Sequence, residues 1–241
     1  HTFAADMRNP DFKFRQFSIW QDQCAMKVGT DSVLLGAWAD ITRCKTILDI
    51  GTGTGILALI AAQRNPEAQI TAVEIDASAA AQAESNIRES PWKDRIHVIN
   101  TDIRSYDCPN TFDAILCNPP YFTKSLHSPD ASRNGVRHDD TLSLDDLASI
   151  ADKLLTEDGE MHLILPADTF STITGIVSRH GLQLHGITSV CTGSGRPPKR
   201  TMLSIGRKFS NKTKGVIYLE DSNGRMSDEY RNLVKPFYLN V

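Results

Sequence analysis

Two rhythms of apolar and polar positions take turns along this chain. Short runs of four to six mostly aliphatic residues recur at Thr46–Gly51, Ile70–Glu74, Ile96–Ile99, Phe112–Cys117 and Glu160–Leu165. Continuous apolar runs of this length predict strands buried on both faces. Between them lie segments with helical spacing: Gly55–Arg64, the alanine-rich Ser78–Glu89, Leu144–Leu155 and 169–180. Leu182–Val190 and Thr201–Arg207 add two later strands. The alternation from 46 to 180 predicts an α/β, doubly wound, Rossmann-like parallel sheet with helices on both faces, and the two later strands bring it to seven. Ahead of it, Phe12–Trp20 alternates apolar and polar and predicts one strand, with Phe12, Phe14, Phe17 and Trp20 in the core. Val33–Ala39 predicts a helix. Residues 123–141 read as a mobile polar loop, and 191–199 as a second loop. The expected organisation is a cloning remnant at 1–6, an N-terminal extension at 7–45, and one structural unit from 46 to 241.

Composition narrows the class. The chain has 241 residues, 40% hydrophobic and 23% charged, with a net charge of −3. That suffices for a full core and excludes a disordered chain or a molecule that is polybasic throughout. Five widely spread cysteines (Cys24, Cys44, Cys108, Cys117, Cys191) with no CxxC pair argue against a disulfide framework or a zinc site. They favour a reducing cytoplasm, with no metal expected. The longest apolar run, Ile56–Ala62, is too short to cross a membrane, and no signal peptide is legible.

The first strand runs into Leu48-Asp-Ile-Gly-Thr-Gly-Thr-Gly-Ile56, where a helix begins. Gly51, Gly53 and Gly55 permit a tight turn and a close backbone approach to a ligand. The pattern lacks the lysine of a P-loop. Asp49 beside it is unsuited to a pyrophosphate, whereas a sulfonium or amino group suits a carboxylate. Glu74 ends the second strand, 19 residues past Gly55, where an acid can accept from both hydroxyls of a ribose. Asp102 follows the third strand and can accept from an exocyclic adenine amine. Such acids at three successive strand ends describe S-adenosyl-L-methionine better than a nicotinamide dinucleotide. The plainer alternative is that Glu74, Asp76 and Asp102 cap helices or turns.

Asn118-Pro119-Pro120-Tyr121 closes the fourth strand. Two prolines terminate a ladder, but that does not account for the flanking Asn and aromatic. The lone pair of adenine N6 is delocalised into its ring. Two acceptors aimed at the amine hydrogens, the Asn118 side-chain oxygen and the Pro119 carbonyl, favour a more nucleophilic nitrogen. The prolines stiffen the loop, and the Tyr121 ring can stack on a base. Phe122 suits either a second wall or the core.

These motifs resemble the seven-stranded S-adenosylmethionine-dependent methyltransferases that act on exocyclic or amide nitrogens. Cys24-Ala-Met-Lys-Val-Gly-Thr-Asp-Ser-Val-Leu-Leu-Gly-Ala-Trp38 and Pro198-Lys-Arg-Thr-Met-Leu203 resemble more narrowly the bacterial tRNA1(Val) adenine N6-methyltransferases, which modify nucleotide 37 beside the anticodon. The resemblance spans about residues 12–219. It implies direct in-line methyl transfer to adenine N6 in tRNA. It also implies that Lys27, Gly29, Thr30 and Asp31 border the cofactor or target pocket; by itself, Thr30 or Asp31 reads as the N-cap of the next helix. Asn-Pro-Pro-Tyr is shared with DNA adenine, ribosomal guanine N2 and protein glutamine N5-methyltransferases. The last class usually carries a helical N-terminal domain, for which the roughly 45 residues here are too few. A non-catalytic RNA chaperone would have no use for aimed acceptors.

Thr169–Leu219 contains no Asp or Glu but carries Arg179, Arg196, Lys199, Arg200, Arg207, Lys208, Lys212 and Lys214. This local charge points to phosphate contacts, with Lys199 and Arg200 foremost and Arg133 and Arg137 near the target base; the alternative is a solvated face. His138 is not needed as a base, since water can take the proton after methylation. The expected partner is tRNA and the expected state a monomer.

Overall fold

The structure, a computed structural model, describes residues 11–22, 28–119, 142–208 and 214–241. Its elements in chain order are β1 (Asp11–Lys13), β2 (Ser18–Trp20), α1 (Thr30–Trp38), β3 (Thr46–Ile50), α2 (Ile56–Arg64), β4 (Gln69–Glu74), α3 (Ala77–Arg88), β5 (Ile96–Asn100) and β6 (Phe112–Cys117). There follow α4 (Leu144–Leu154), β7 (Leu155–Pro166), α5 (Phe170–Arg179), β8 (Gln183–Cys191), β9 (Pro198–Gly206), β10 (Lys214–Tyr218) and α6 (Asp228–Val234). The main sheet runs β10-β8-β9-β7-β6-β3-β4-β5. Its pairings are parallel except at β9, which is antiparallel to both β7 and β8. The seven strands expected from the sequence are β3 to β9; β10, unanticipated, extends the edge beside β8.

Side-chain alternation divides the core. Ile47 and Ile70 pack with α1, α2, α3 and α6 on one face, while Leu48, Ile50 and Ile115 pack with α4 and α5 on the other. Ser143 and Asp146 close a reciprocal capping box that starts α4. β3 lies between β4 and β6, so the chain reverses its direction of travel across the sheet there. In doubly wound sheets, the crevice at the carboxyl ends of such a switch point is where ligands bind. Ile50 pairs with Cys117, so the residues after them, Gly51 and Asn118, leave neighbouring strands at that crevice.

The N-terminal segment departs from expectation. It is a separate two-stranded hairpin, not one strand. Residues 14 and 17 would face opposite ways in a continuous strand. A turn instead brings Phe14 and Phe17 together with centroids 4.6 Å apart, and Phe14 also stacks on Tyr238. Trp20, expected in the core, is 40% exposed. The residue before α1 that serves as its N-cap is Gly29, so neither Thr30 nor Asp31 caps it. β9 begins at Pro198, inside the stretch expected to be loop; a proline is tolerated at the first residue of a strand.

Candidate active site

The glycine turn has the backbone its composition calls for. Gly51, Gly53 and Gly55 all have positive φ (67°, 56° and 85°), which other residues adopt only with strain. Gly51 and Thr52 donate to the Val73 carbonyl, binding the turn to β4. Among the described residues, a Cβ built on Gly51 would meet nothing within 4 Å, so they leave the space over the turn open.

Asp49 does not reach that space. It is 0% exposed, and its Oδ2 accepts from Thr52 Oγ1 at 2.6 Å and from the Ala58 amide at 3.2 Å. The carboxylate read as complementing a cationic ligand therefore ties the turn to α2 from beneath. Its Oδ1 is buried and has no hydrogen-bond partner among the described residues. Burial pushes its pKa from 3.8 up to about 7, against the opposing pull of its Thr52 and Ala58 hydrogen bonds, and the Glu74 charge adds a further upward push. Between about pH 4 and pH 7 the folded chain keeps a proton that the unfolded chain has lost, so stability falls as pH rises through that window. The span corresponds to a loss on the order of 4 kcal/mol. Urea melts from pH 4 to 8 should show this slope in the wild type and not in Asp49→Asn; parallel profiles would refute it.

Glu74 sits at the end of β4, 9% exposed. Oε2 accepts from the Gly53 amide at 2.9 Å and Oε1 from the Asp76 amide at 3.0 Å. Each oxygen keeps acceptor capacity beyond that one bond. Next to it Ile75 is 55% exposed, and Asn100 holds this corner by donating to the Glu74 and Ile75 carbonyls. Sequence reading missed both residues; an isoleucine after the strand-end acid was the available signal. Asp76 N-caps α3 through Ala79. Asp102 caps a short 3-10 turn through the Arg104 amide and is gripped by the Arg104 guanidinium, which holds its carboxyl below the usual range.

At the end of β6, Asn118 Nδ2 donates to Ser32 Oγ of α1 at 2.9 Å, and Pro119 is buried. Beside Ser32, Asp31 forms an ion pair with Arg200 at 2.9 Å. Tyr230 of α6 packs in the apolar core that α1 lines. Lys27, Pro120, Tyr121, Phe122, Arg133, Arg137 and His138 lie outside the described residues.

A family profile described as a methyltransferase small domain matches residues 24–169. The tRNA1(Val) (adenine(37)-N6)-methyltransferase of Bacteroides thetaiotaomicron is 42% identical over 236 residues, covering 98% of this chain and 100% of the relative. The protein of the same name from Phocaeicola vulgatus is 46% identical over 235 residues, with the same coverage. The chain belongs to the tRNA1(Val) (adenine(37)-N6)-methyltransferase family. The crystal structure of a predicted O-methyltransferase from Agrobacterium tumefaciens superposes with a TM-score of 0.67 at 18% identity, over 88% of this chain and 100% of that one. At that identity it bears on the fold alone, and it is the α/β methyltransferase fold.

For a member of this family the basic stretch 169–219 matters, and the structure alters its reading. Acids from elsewhere meet four of its cations: Asp145 meets Arg179, Asp31 meets Arg200, Asp152 meets Arg207 and Asp158 meets Lys208. Lys212 lies outside the described residues. Arg196 and Lys199 are exposed beside the start of β9. Because β9 is reversed, that start lies at the sheet's carboxyl edge, with Pro198 opposite Cys191 and Arg200 opposite Pro166. The acid-free stretch is therefore less positive in space than in sequence. Among the described residues, no helix is long and apolar enough to cross a membrane.

Proposed function

We propose that this chain transfers a methyl group from S-adenosylmethionine to N6 of adenine 37 in tRNA1(Val), in the cytoplasm. The observation that carries the reading is the register of Ile50 against Cys117, which sets the glycine turn and Asn118 side by side at the switch point.

The residues present fit the cofactor. The described residues leave space over Gly51 for a close ligand, Glu74 retains acceptor capacity for two ribose hydroxyls, and exposed Ile75 offers an apolar wall to a planar ring. S-adenosylmethionine supplies a methyl group on cationic sulfur, open to in-line attack by a nitrogen lone pair. Asn118 and the Pro119 carbonyl accept hydrogen bonds from the target amine and draw its lone pair out of conjugation. Buried Pro119 limits the freedom of that corner, so the acceptors are aimed before the base arrives. Water takes the amine proton after transfer. The reading is tested by incubating the protein with methyl-labelled S-adenosylmethionine and total tRNA, total protein or DNA. Label should enter tRNA; label in protein would favour the glutamine N5 alternative.

The RNA path gives a second expected result. Arg196 and Lys199 are the exposed cations at the active edge, whereas Arg200 is engaged by Asp31. Replacing Arg196 and Lys199 with Ala should lower the log-log salt slope of tRNA binding by about two and leave cofactor affinity alone. Unchanged slope and affinity would make this loop a solvated face.

A further inference from the structure

The assignment of Asn118 as an aimed acceptor, which rests on the proposed function, raises the question of what aims Asn118. A side-chain amide has a donor end and an acceptor end fixed in one plane. When the donor end is held, the direction of the carbonyl end is set with it. In this structure the donor end is held: Nδ2 donates to Ser32 Oγ at 2.9 Å.

Ser32 is itself fixed. It is buried in the first turn of α1, and its N-terminal neighbour is tied to a distant part of the chain. Asp31 pairs with Arg200 at the start of β9, and Tyr230 and Val234 of α6 pack in the apolar core that α1 lines. Further along α1, a Cβ on Gly36 would come within 2.7 Å of Ile60, so the helix packs closely on α2. Strand β9 and helices α2 and α6 thus converge on α1, and its first turn presents one hydroxyl to the end of β6.

We propose that Ser32 is a positioning residue for methyl transfer, holding the Asn118 amide so that its carbonyl end faces the target amine. Ser32 acts through Asn118 and through nothing else in the reaction. A hydrogen bond that merely supports the fold would lower stability and leave turnover per folded molecule intact.

The test is a double-mutant cycle read by single-turnover and steady-state kinetics on unmodified tRNA. Ser32→Ala should lower kcat by about tenfold or more, with KM for S-adenosylmethionine and tRNA within about twofold of wild type. Adding Ser32→Ala to Asn118→Ala should cost less than about twofold further, because the amide it serves is already gone. Wild-type kcat in Ser32→Ala, or losses that multiply in the double variant, would overturn the proposal. If the alanine variant melts early, the isosteric pair Ser32→Thr and Ser32→Val carries the same question: the hydroxyl-bearing variant should be the faster by a similar factor, and equal rates would refute the role. A wild-type enzyme that fails to methylate tRNA would refute the proposed function itself, a result distinct from either.

Discussion

Asn118→Ala is expected to cut kcat on tRNA by about 10²-fold or more while leaving S-adenosylmethionine affinity within about a factor of two. The amide sits at the end of β6, one strand over from the glycine turn, and its donor end is occupied by Ser32. Its proposed work is done on the amine as charge develops there, so the loss belongs in kcat. Near wild-type turnover would remove the acceptor role and leave the tetrapeptide as a strand terminator.

Glu74→Ala should weaken S-adenosylmethionine binding by at least about 10²-fold. Two charge-assisted hydrogen bonds to ribose hydroxyls, each worth roughly 1.5–3 kcal/mol, are lost together. The same change strips acceptors from the Gly53 and Asp76 amides, so the turn loosens and the melting temperature falls by several degrees. Calorimetric titration beside a thermal melt separates the two effects. A folded variant with unchanged affinity would show that Glu74 serves the turn alone.

Much of the scaffold was legible because local chemistry and tertiary structure agree. The β3–glycine turn–α2 unit was readable since three glycines with positive φ leave few other backbones, and Asn118-Pro119 marked the end of β6. Failures came where distant segments decide. Phe12–Trp20 alternates like a strand, but stacking of Phe14 on both Phe17 and Tyr238 rewards a turn that local pattern does not reveal. Asp49 looked like a ligand group because spacing places a residue along the chain and not in depth; only the packing of α2 shows that it is covered. Arg200 reads as a phosphate contact in the sequence, and nothing local reveals that it pairs with Asp31, 169 positions away. Ser32 carried no signal of its own, since its meaning lies in the amide across from it.

The central claim is best tested on a single substrate. Unmodified tRNA1(Val) transcript, incubated with the enzyme and S-adenosylmethionine, should yield one N6-methyladenosine on nucleoside analysis, mapping to position 37. A transcript with guanine at 37 should yield none. Methylation of that altered transcript at another adenine, or a wild-type transcript that gains no methyl group while protein or DNA does, would contradict the account.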